Sequence, residues 1–208
     1  MGSALFDLYL VTDRHQTRGR DLLWIVQQAL EGGVKAIQLR EKDLGGRELF
    51  NLAEKTRKLC LDYQALLLIN DRIDIAIAVD ADGVQLGNAS VPVSTARELL
   101  GPNKLIGAST HSLAEAMEAE QSGADFVLFG PVFFTPSKAA YGPPQGLTAL
   151  REIIDNVSVP VYGIGGINLG NVDAVKRAGA NGAALISAII GTIDPQVATR
   201  QMLERLQK

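Results

Sequence analysis

The sequence is poor in cysteine, histidine and long hydrophobic runs, and it has no excess of basic residues. Cys60 is the single cysteine, so no intramolecular disulfide can form, and we expect it to be a small core residue. The 20 Lys and Arg are outnumbered by 23 Asp and Glu, which disfavours a nucleic-acid-binding surface. Residues 1–12 lack signal-peptide features, and no apolar run approaches about 18 residues. We therefore expect a cytoplasmic protein that binds neither nucleic acid nor membrane.

Short β-rich segments alternate with longer segments of helical periodicity along the whole chain. The predicted strands are Leu8–Asp13, Ala36–Arg40, Ala65–Asn70, Gly83–Leu86, Leu105–Thr110, Phe126–Gly130, Pro160–Ile164 and Ala183–Ser187. The predicted helices are Asp21–Glu31, Arg47–Leu61, Ile73–Val79, Val93–Leu100, Leu113–Ser122, Leu147–Asp155, Asn171–Ala178 and Pro195–Gln207. No Pro-, Gly- or Ser-rich linker divides these eight even units. The pattern predicts an α/β fold, a single (β/α)8 TIM barrel over residues 1–208, rather than a doubly wound open sheet.

Glycines follow several predicted helices immediately before the next strand. They are Gly32, Gly33, Gly101, Gly123 and Gly179. A glycine in this position is typical of a left-handed helix C-cap. The segments GGVKAI, SGADFV and AGANGAAL form similar helix-to-strand joints, although they are too divergent to be sequence repeats.

Polar side chains recur at the carboxyl ends of the predicted strands, where a (β/α)8 barrel forms its active site. They are Asp13, Arg14, Gln38, Arg40, Glu41, Lys42, Asn70, Asp71, Arg72, Gln85, Asn88, Ser109, His111, Thr135, Ser137, Lys138 and Ser187. The strand interiors before them are mostly apolar. This arrangement predicts a ligand site on one rim of the barrel.

Two segments suit a phosphate group. The stretch from Val159 to Asn168 runs from a strand into a turn with Gly165 and Gly166, whose amides can approach an anion closely, although an ordinary strand-to-helix turn has the same pattern. Side chains alternate along an extended segment, so Arg40 and Lys42 lie on the same side as Gln38. The two cationic side chains suit a phosphate or diphosphate. The alternative is a salt-bridged rim with Glu41, Asp43 or Asp71.

Two further residues have both a functional and a structural interpretation. Asp71 could hold Mg2+ together with substrate phosphate oxygens, or it could cap the following helix. His111 could transfer a proton near neutral pH, or it could neighbour the N-cap of the helix after Ser112. No Cys/His cluster suggests zinc, and no Walker or dinucleotide glycine loop follows the first strand.

Eight segments taken together resemble the thiamin phosphate synthase and TenI family. In order they are LYLVTDR, QLREK, LINDR, DGVQLG, IGASTH, GADFVLFGPVFFTPSK, VYGIGGI and GANGAALIS, which cover nearly the whole chain. The resemblance implies a (β/α)8 barrel that acts on the thiazole branch of thiamin biosynthesis. Its substrates would be a small phosphorylated thiazole and, for the synthase, a pyrimidine diphosphate.

The resemblance also implies roles for individual residues. Gln38, Arg40, Lys42, Asn70 and Lys138 would bind the pyrimidine diphosphate, and Asp71 would be a metal ligand. Thr135, Ser137, Gly165, Gly166, Ile186 and Ser187 would hold the thiazole phosphate. The resemblance implies His111, Ser109 and Lys138 as catalytic residues, and Ser109 and His111 match an S-x-H pattern of the family.

The sequence departs from the synthase pattern after the fourth predicted strand. Ser90 stands where synthases usually have a second metal-binding Asp, and this loss of charge should weaken Mg2+ binding. Our leading hypothesis is therefore a thiazole tautomerase that needs no cofactor and transfers a proton through His111. The alternative is a Mg2+-dependent thiamin phosphate synthase, supported by the retained Lys42 and Asp71.

Three further hypotheses concern a non-catalytic role, the oligomeric state and the motion of a loop. A non-catalytic barrel that binds thiamin phosphates and acts through a partner is a third hypothesis. A homodimer is a further possibility, and the proline-rich loop Phe133–Gln145 could form a lid over the site, or be a merely mobile connector.

Overall fold

Eight parallel strands form a closed barrel in a computed structural model that describes residues 5–136 and 142–207. The strands are β1 Leu8–Val11, β2 Ala36–Leu39, β3 Leu66–Asn70, β4 Gly83–Leu86, β5 Leu105–Thr110, β6 Phe126–Phe129, β7 Val161–Ile164 and β8 Gly182–Leu185. Each strand pairs with the next, and β8 closes on β1. The predicted (β/α)8 TIM barrel is confirmed.

Helices follow the strands and form the outer layer. They are α1 Leu22–Glu31, α2 Gly46–Asp62, α3 Ile73–Ala78, α4 Val93–Leu100, α5 Leu113–Gln121, α6 Gly146–Asn156, α7 Val172–Arg177, α8 Ser187–Ile190 and α9 Pro195–Leu206, with a 3-10 helix at Arg14–Gln16. The sequence pattern did not predict α8 or the 3-10 helix, because one helical turn is too short to show a periodicity. In the described residues, no helix is both long and apolar enough to span a membrane.

The barrel interior is closed at its amino-terminal end by aromatic rings. Phe6 stacks on Tyr162 with ring centroids 4.5 Å apart, and Phe126 meets both rings edge-on. The Tyr162 hydroxyl accepts the amides of Leu5 and Phe6, and burial raises the pKa of this phenol to about 12. In the described residues these rings fill the amino-terminal end of the barrel, so a ligand site is expected at the carboxyl ends of the strands.

Three side chains at the amino-terminal end of the barrel accept hydrogen bonds from the backbone of neighbouring strands. Asp82, Asp125 and Asn181 precede β4, β6 and β8, and each accepts the first or second amide of the preceding strand at 2.7–2.9 Å. Arg57 and Arg97 pair with the two aspartates. The similar joints noticed in the sequence, SGADFV and AGANGAAL, thus share one structural role, which is to tie neighbouring strands together below the site.

The predicted left-handed glycine C-caps are confirmed at Gly33, Gly123 and Gly179, whose φ values lie between 95° and 104°. Gly101 ends α4 with a positive φ of 72°, but its ψ of −174° is extended, so the prediction of a left-handed helical conformation is wrong there. Gly32 has a right-handed φ of −73°, so the prediction of a left-handed conformation there is wrong. A Cβ at Gly32 would lie 2.7 Å from both the Gln196 carbonyl oxygen and the Thr199 Cβ, so this glycine permits the close packing of α1 on α9.

Candidate active site

A cavity of about 430 Å3 opens at the carboxyl ends of β5 to β8. Six predicted site residues line it: His111, Thr135, Gly165, Gly166, Ile186 and Ser187. Most of the remaining lining is apolar or glycine, including Pro131, Ile164 and Ile167. The structure therefore brings five of the six predicted thiazole phosphate residues and the predicted proton-transfer histidine into one cavity.

The glycine turn after β7 is fixed by the loop that follows β6. Gly165 and Gly166 have φ values of 95° and 66°, which residues with a side chain rarely adopt. A Cβ at Gly165 would lie 2.6 Å from the Pro131 Cβ, and one at Gly166 would lie 2.5 Å from the Phe134 carbonyl oxygen. Both positions therefore require glycine for conformation and for space.

The carbonyl groups of this turn are already engaged. The Gly165 carbonyl accepts the Phe133 amide at 3.0 Å, and the Gly166 carbonyl accepts the Asn171 side-chain amide at 2.9 Å. The Gly166 amide, in contrast, donates to no acceptor in residues 5–136 and 142–207. A free amide beside occupied carbonyls favours an anion in the cavity.

The short helix α8 adds amides on the neighbouring side of the cavity. The sequence pattern extended the eighth strand to Ser187, but β8 ends at Leu185, because Ile186 leaves the extended conformation with ψ −87°. The Ser187 and Ala188 amides at the start of α8 donate to no acceptor in the described part of the chain. A short extra helix after the eighth strand is a frequent phosphate-binding feature of this fold.

His111 contributes a basic nitrogen to the cavity. Its Nδ1 lies within hydrogen-bonding distance of the Gly130 carbonyl oxygen. A carbonyl only accepts, so Nδ1 carries the hydrogen, and in the neutral ring Nε2 is the unprotonated nitrogen. His111 also neighbours the N-cap of α5, as the structural alternative predicts. The Ser112 side chain caps this helix, and the His111 amide donates to the Glu115 side chain in its first turn.

The other half of the rim carries the predicted cationic residues, outside the cavity. Gln38 is buried in the barrel interior, and the Arg40 amide donates to the Thr12 hydroxyl. Within the described residues the Arg40 guanidinium forms no ion pair. Glu41 and Asp43 instead bind Arg14, so the salt-bridged alternative is wrong for Arg40.

The Arg14 ion pair fixes the loop after β1. The two terminal guanidinium nitrogens, Nη1 and Nη2, donate to Asp43 at 2.6 Å, and this lowers the pKa of the Asp43 carboxyl to about 2. The adjacent Gln16 lines the cavity and donates from its side chain to Asp13 at 2.6 Å. Gln16 is not among the predicted site residues, although its place after the first strand was the signal that could have identified it.

Asp71 is held by contacts from three sides. Its backbone is left-handed, with φ 60°, and its carboxylate accepts the Asn70 side-chain amide at 2.7 Å and the Ser90 hydroxyl. The Lys42 ammonium lies 4.0 Å away. Helix α3 begins at Ile73 with no side-chain cap, so the alternative that Asp71 caps this helix is wrong.

The residues around Asp71 suit Mg2+ only in part. Among the residues that the structure describes, no three His, Cys, Asp or Glu side chains cluster as a metal site. Mg2+ is commonly bound through one or two carboxylates together with substrate phosphates and waters. Asp71 would be a single carboxylate ligand, and a diphosphate and solvent would have to supply the remaining coordination.

Ser109 lies at the end of β5, between the two halves of the rim. Its hydroxyl oxygen accepts a hydrogen bond of 3.1 Å from the buried Gln85 side chain. Ser137 and Lys138 lie outside the described residues, as does the middle of the predicted lid over Phe133–Gln145. Their roles therefore remain predictions.

Known proteins similar to this chain share one family. The family model for thiamine monophosphate synthase matches residues 8–189. A protein of Geobacter sulfurreducens, provisionally named a thiamine-phosphate synthase, is 52% identical over 99% of this chain and 97% of its own. The thiamine-phosphate synthase of Syntrophomonas wolfei is 46% identical over 97% of each chain.

A solved structure agrees with these matches. The thiamine phosphate pyrophosphorylase of Pyrococcus furiosus superposes with a TM-score of 0.89 at 42% identity, covering 97% of this chain and 96% of that one. Identity at this level over nearly the full length of both chains extends well beyond a shared barrel. The chain belongs to the thiamine monophosphate synthase family of thiamin-biosynthesis enzymes.

Proposed function

We propose that this enzyme is a thiamin phosphate synthase, which joins hydroxymethylpyrimidine diphosphate to thiazole phosphate. The observation that carries the proposal is the second set of polar residues on the rim, Arg40, Lys42, Asn70 and Asp71, beside a separate cavity suited to phosphate. A tautomerase has one phosphorylated substrate and needs one anion site. The names of the relatives favour the synthase over our leading sequence-based hypothesis, the tautomerase.

The two halves of the rim would hold the two substrates. The thiazole phosphate would lie in the cavity against the Gly166 amide and the start of α8. The diphosphate would lie against the Arg40 guanidinium and the exposed Lys42 ammonium, which offer charge and hydrogen-bond donors to its oxygens. Lys138 remains a predicted third cation of this set.

The reaction replaces one bond to carbon by another. The bond from the pyrimidine methylene carbon to the diphosphate oxygen breaks, and its electron pair leaves with the diphosphate. The thiazole ring nitrogen supplies the electron pair of the new carbon–nitrogen bond. Arg40 and Lys42 would stabilise the negative charge that grows on the leaving group.

Asp71 would hold Mg2+ together with the diphosphate oxygens. When bound, the ion would neutralise charge on the leaving group. Asn70 and Ser90 donate to the carboxylate of Asp71 and would keep it oriented toward the diphosphate.

Thiazole tautomerisation is the second candidate function, and His111 is the observation that favours it. His111 lines the same cavity as the glycine turn, and the Nε2 of its neutral ring can accept a proton because Nδ1 donates to the Gly130 carbonyl oxygen. A base beside a bound thiazole phosphate could move a proton between ring carbons.

A paired assay distinguishes the two functions. The purified protein is given both substrate sets, each with and without Mg2+, along with Asp71→Asn and His111→Ala variants. The synthase proposal expects thiamin phosphate formation that requires Mg2+ and is lost in Asp71→Asn. Aromatisation of the thiazole carboxylate phosphate that is lost in His111→Ala, without thiamin phosphate formation, would overturn the proposal in favour of the tautomerase.

A further inference from the structure

We propose that Gln85 is a positioning residue that makes the Ser109 hydroxyl a hydrogen-bond donor to a ring nitrogen of the pyrimidine substrate. The inference rests on the proposed synthase function and adds a residue to its specificity. It starts from the buried side-chain amide of Gln85. Its nitrogen donates to Ser109, and its oxygen has no hydrogen-bond partner among the described residues.

The Gln85 side chain is enclosed in the barrel. The residue is 1% exposed on β4, and its Nε2 donates to the Ser109 Oγ at 3.1 Å. Its Oε1 has no hydrogen-bond partner in residues 5–136 and 142–207. A buried polar group of this kind costs stability, which an apolar residue of the same size would avoid. The cost is consistent with a functional reason for an amide at this position.

Gly107 provides the space for this amide. A Cβ at Gly107 would lie 2.3 Å from the Gln85 Oε1 and 2.4 Å from the Phe126 Cζ. The amide oxygen thus occupies the space above a glycine of β5, with the Phe126 ring beside it. This packing directs the amide nitrogen along β5 toward Ser109.

The hydrogen bond fixes the polarity of the Ser109 hydroxyl. Its oxygen already accepts from Gln85, and its hydrogen has no acceptor in the described residues. Ser109 is partly exposed at the carboxyl end of β5, on the side of the rim next to β4 and β3. The hydroxyl therefore presents a donor to a ligand there, and a pyrimidine ring nitrogen is an acceptor of the required kind.

The experiment compares two substitutions of Gln85 in the full-length enzyme. Gln85→Met keeps an unbranched side chain of similar volume but removes the donor. Gln85→Glu offers only acceptors when ionised, so Ser109 would turn its hydrogen toward position 85 and away from the substrate. We measure KM for each substrate, kcat and the melting temperature, and repeat the Gln85→Met change in a Ser109→Ala background.

The expected effect is confined to one substrate. Gln85→Met should raise KM for the pyrimidine diphosphate about three- to tenfold, the usual effect of one hydrogen bond, and Gln85→Glu should raise it further. KM for the thiazole phosphate should be unchanged. In the Ser109→Ala background, Gln85→Met should have no additional effect, because the group it orients is absent.

A matched control separates this role from a structural one. Thr199 of α9 is buried, and its hydroxyl has no partner in the described part of the chain, so Thr199→Val also removes an orphan polar atom, far from the rim. It should leave both KM values unchanged. An unchanged pyrimidine KM in Gln85→Met, equal changes for both substrates, or an effect that persists in Ser109→Ala would overturn the inference. A wild-type enzyme that forms no thiamin phosphate would instead overturn the proposed function, and this inference with it.

Discussion

The Ser90 hydroxyl donates a hydrogen bond to the Asp71 carboxylate and links the loops that follow β3 and β4. The same hydroxyl oxygen accepts the Gly87 amide at 2.7 Å, so that Ser90 is held in place from both sides. Ser90 therefore orients Asp71 but adds no charge to it. Ser90, where a second carboxylate would be expected, thus holds the Asp71 side chain in place by a hydrogen bond.

Restoring a carboxylate at position 90 should strengthen Mg2+ binding. In Ser90→Asp a second negative charge would lie beside Asp71, and we expect the Mg2+ concentration for half-saturation to fall roughly fivefold or more, since each charge contributes strongly near a divalent ion. Titration calorimetry with Mg2+ in the presence of inorganic diphosphate measures this directly. Ser90→Asn is the control, because it has similar size without the charge. Equal Mg2+ affinities for the two variants would contradict the prediction.

The glycine turn after β7 should tolerate no side chain. In Gly165→Ala the methyl group would meet Pro131 and the φ of 95° would be strained, so the turn must shift and its amides must leave their positions. We expect KM for the thiazole phosphate to rise, while KM for the pyrimidine diphosphate changes little. The free energy of unfolding should fall by about 2–4 kcal/mol, from the left-handed conformation and the overpacking combined.

Gly101→Ala is the matched control for this prediction. Gly101 also has a left-handed φ, 72°, but a Cβ added there would meet no atom within 4 Å, and the residue ends α4 away from the rim. It should lose about 1–3 kcal/mol, from the strained backbone alone, because its ψ of −174° lies in a region that is almost confined to glycine. Urea unfolding and steady-state kinetics of both variants test the difference. A Gly101→Ala enzyme with the same change in thiazole phosphate KM would show that the effect is not local to the turn.

The sequence predicted the barrel and most of its rim because both depend on local patterns. Strand ends followed by Asn70–Asp71 or by Gly165–Gly166 fix which residues reach the carboxyl-terminal side, whatever the details of packing. The pattern could not show that Arg14 rather than Arg40 would bind Glu41 and Asp43, because that choice depends on the path of the loop after β1. It also gave no sign of the contact between Gln85 and Ser109. Such a contact depends on the register of β4 against β5 and on the conformation of the Gln85 side chain, neither of which a sequence pattern fixes.

The thiol of Cys60 should be unreactive in the folded protein. Burial raises its pKa from 9.0 to about 12, so the thiol remains protonated at pH 8 to 9, where an unfolded chain begins to form the thiolate. We expect iodoacetamide to label the native enzyme far more slowly than the enzyme in urea. The expectation that Cys60 is a core residue is confirmed by its complete burial.

The raised pKa of Cys60 also predicts a loss of stability in alkali. Because the folded state holds its proton more tightly, the stabilisation is fully present below pH 9 and is lost as pH rises toward about 12. Denaturant unfolding of the wild type and of Cys60→Ala, measured from pH 8 to 10.5, separates this contribution from other alkaline titrations. The wild type should lose more free energy of unfolding over this range than the variant, which has no thiol to ionise. Parallel pH profiles for the two proteins would show that the thiol ionises as easily in the folded state as in the unfolded chain.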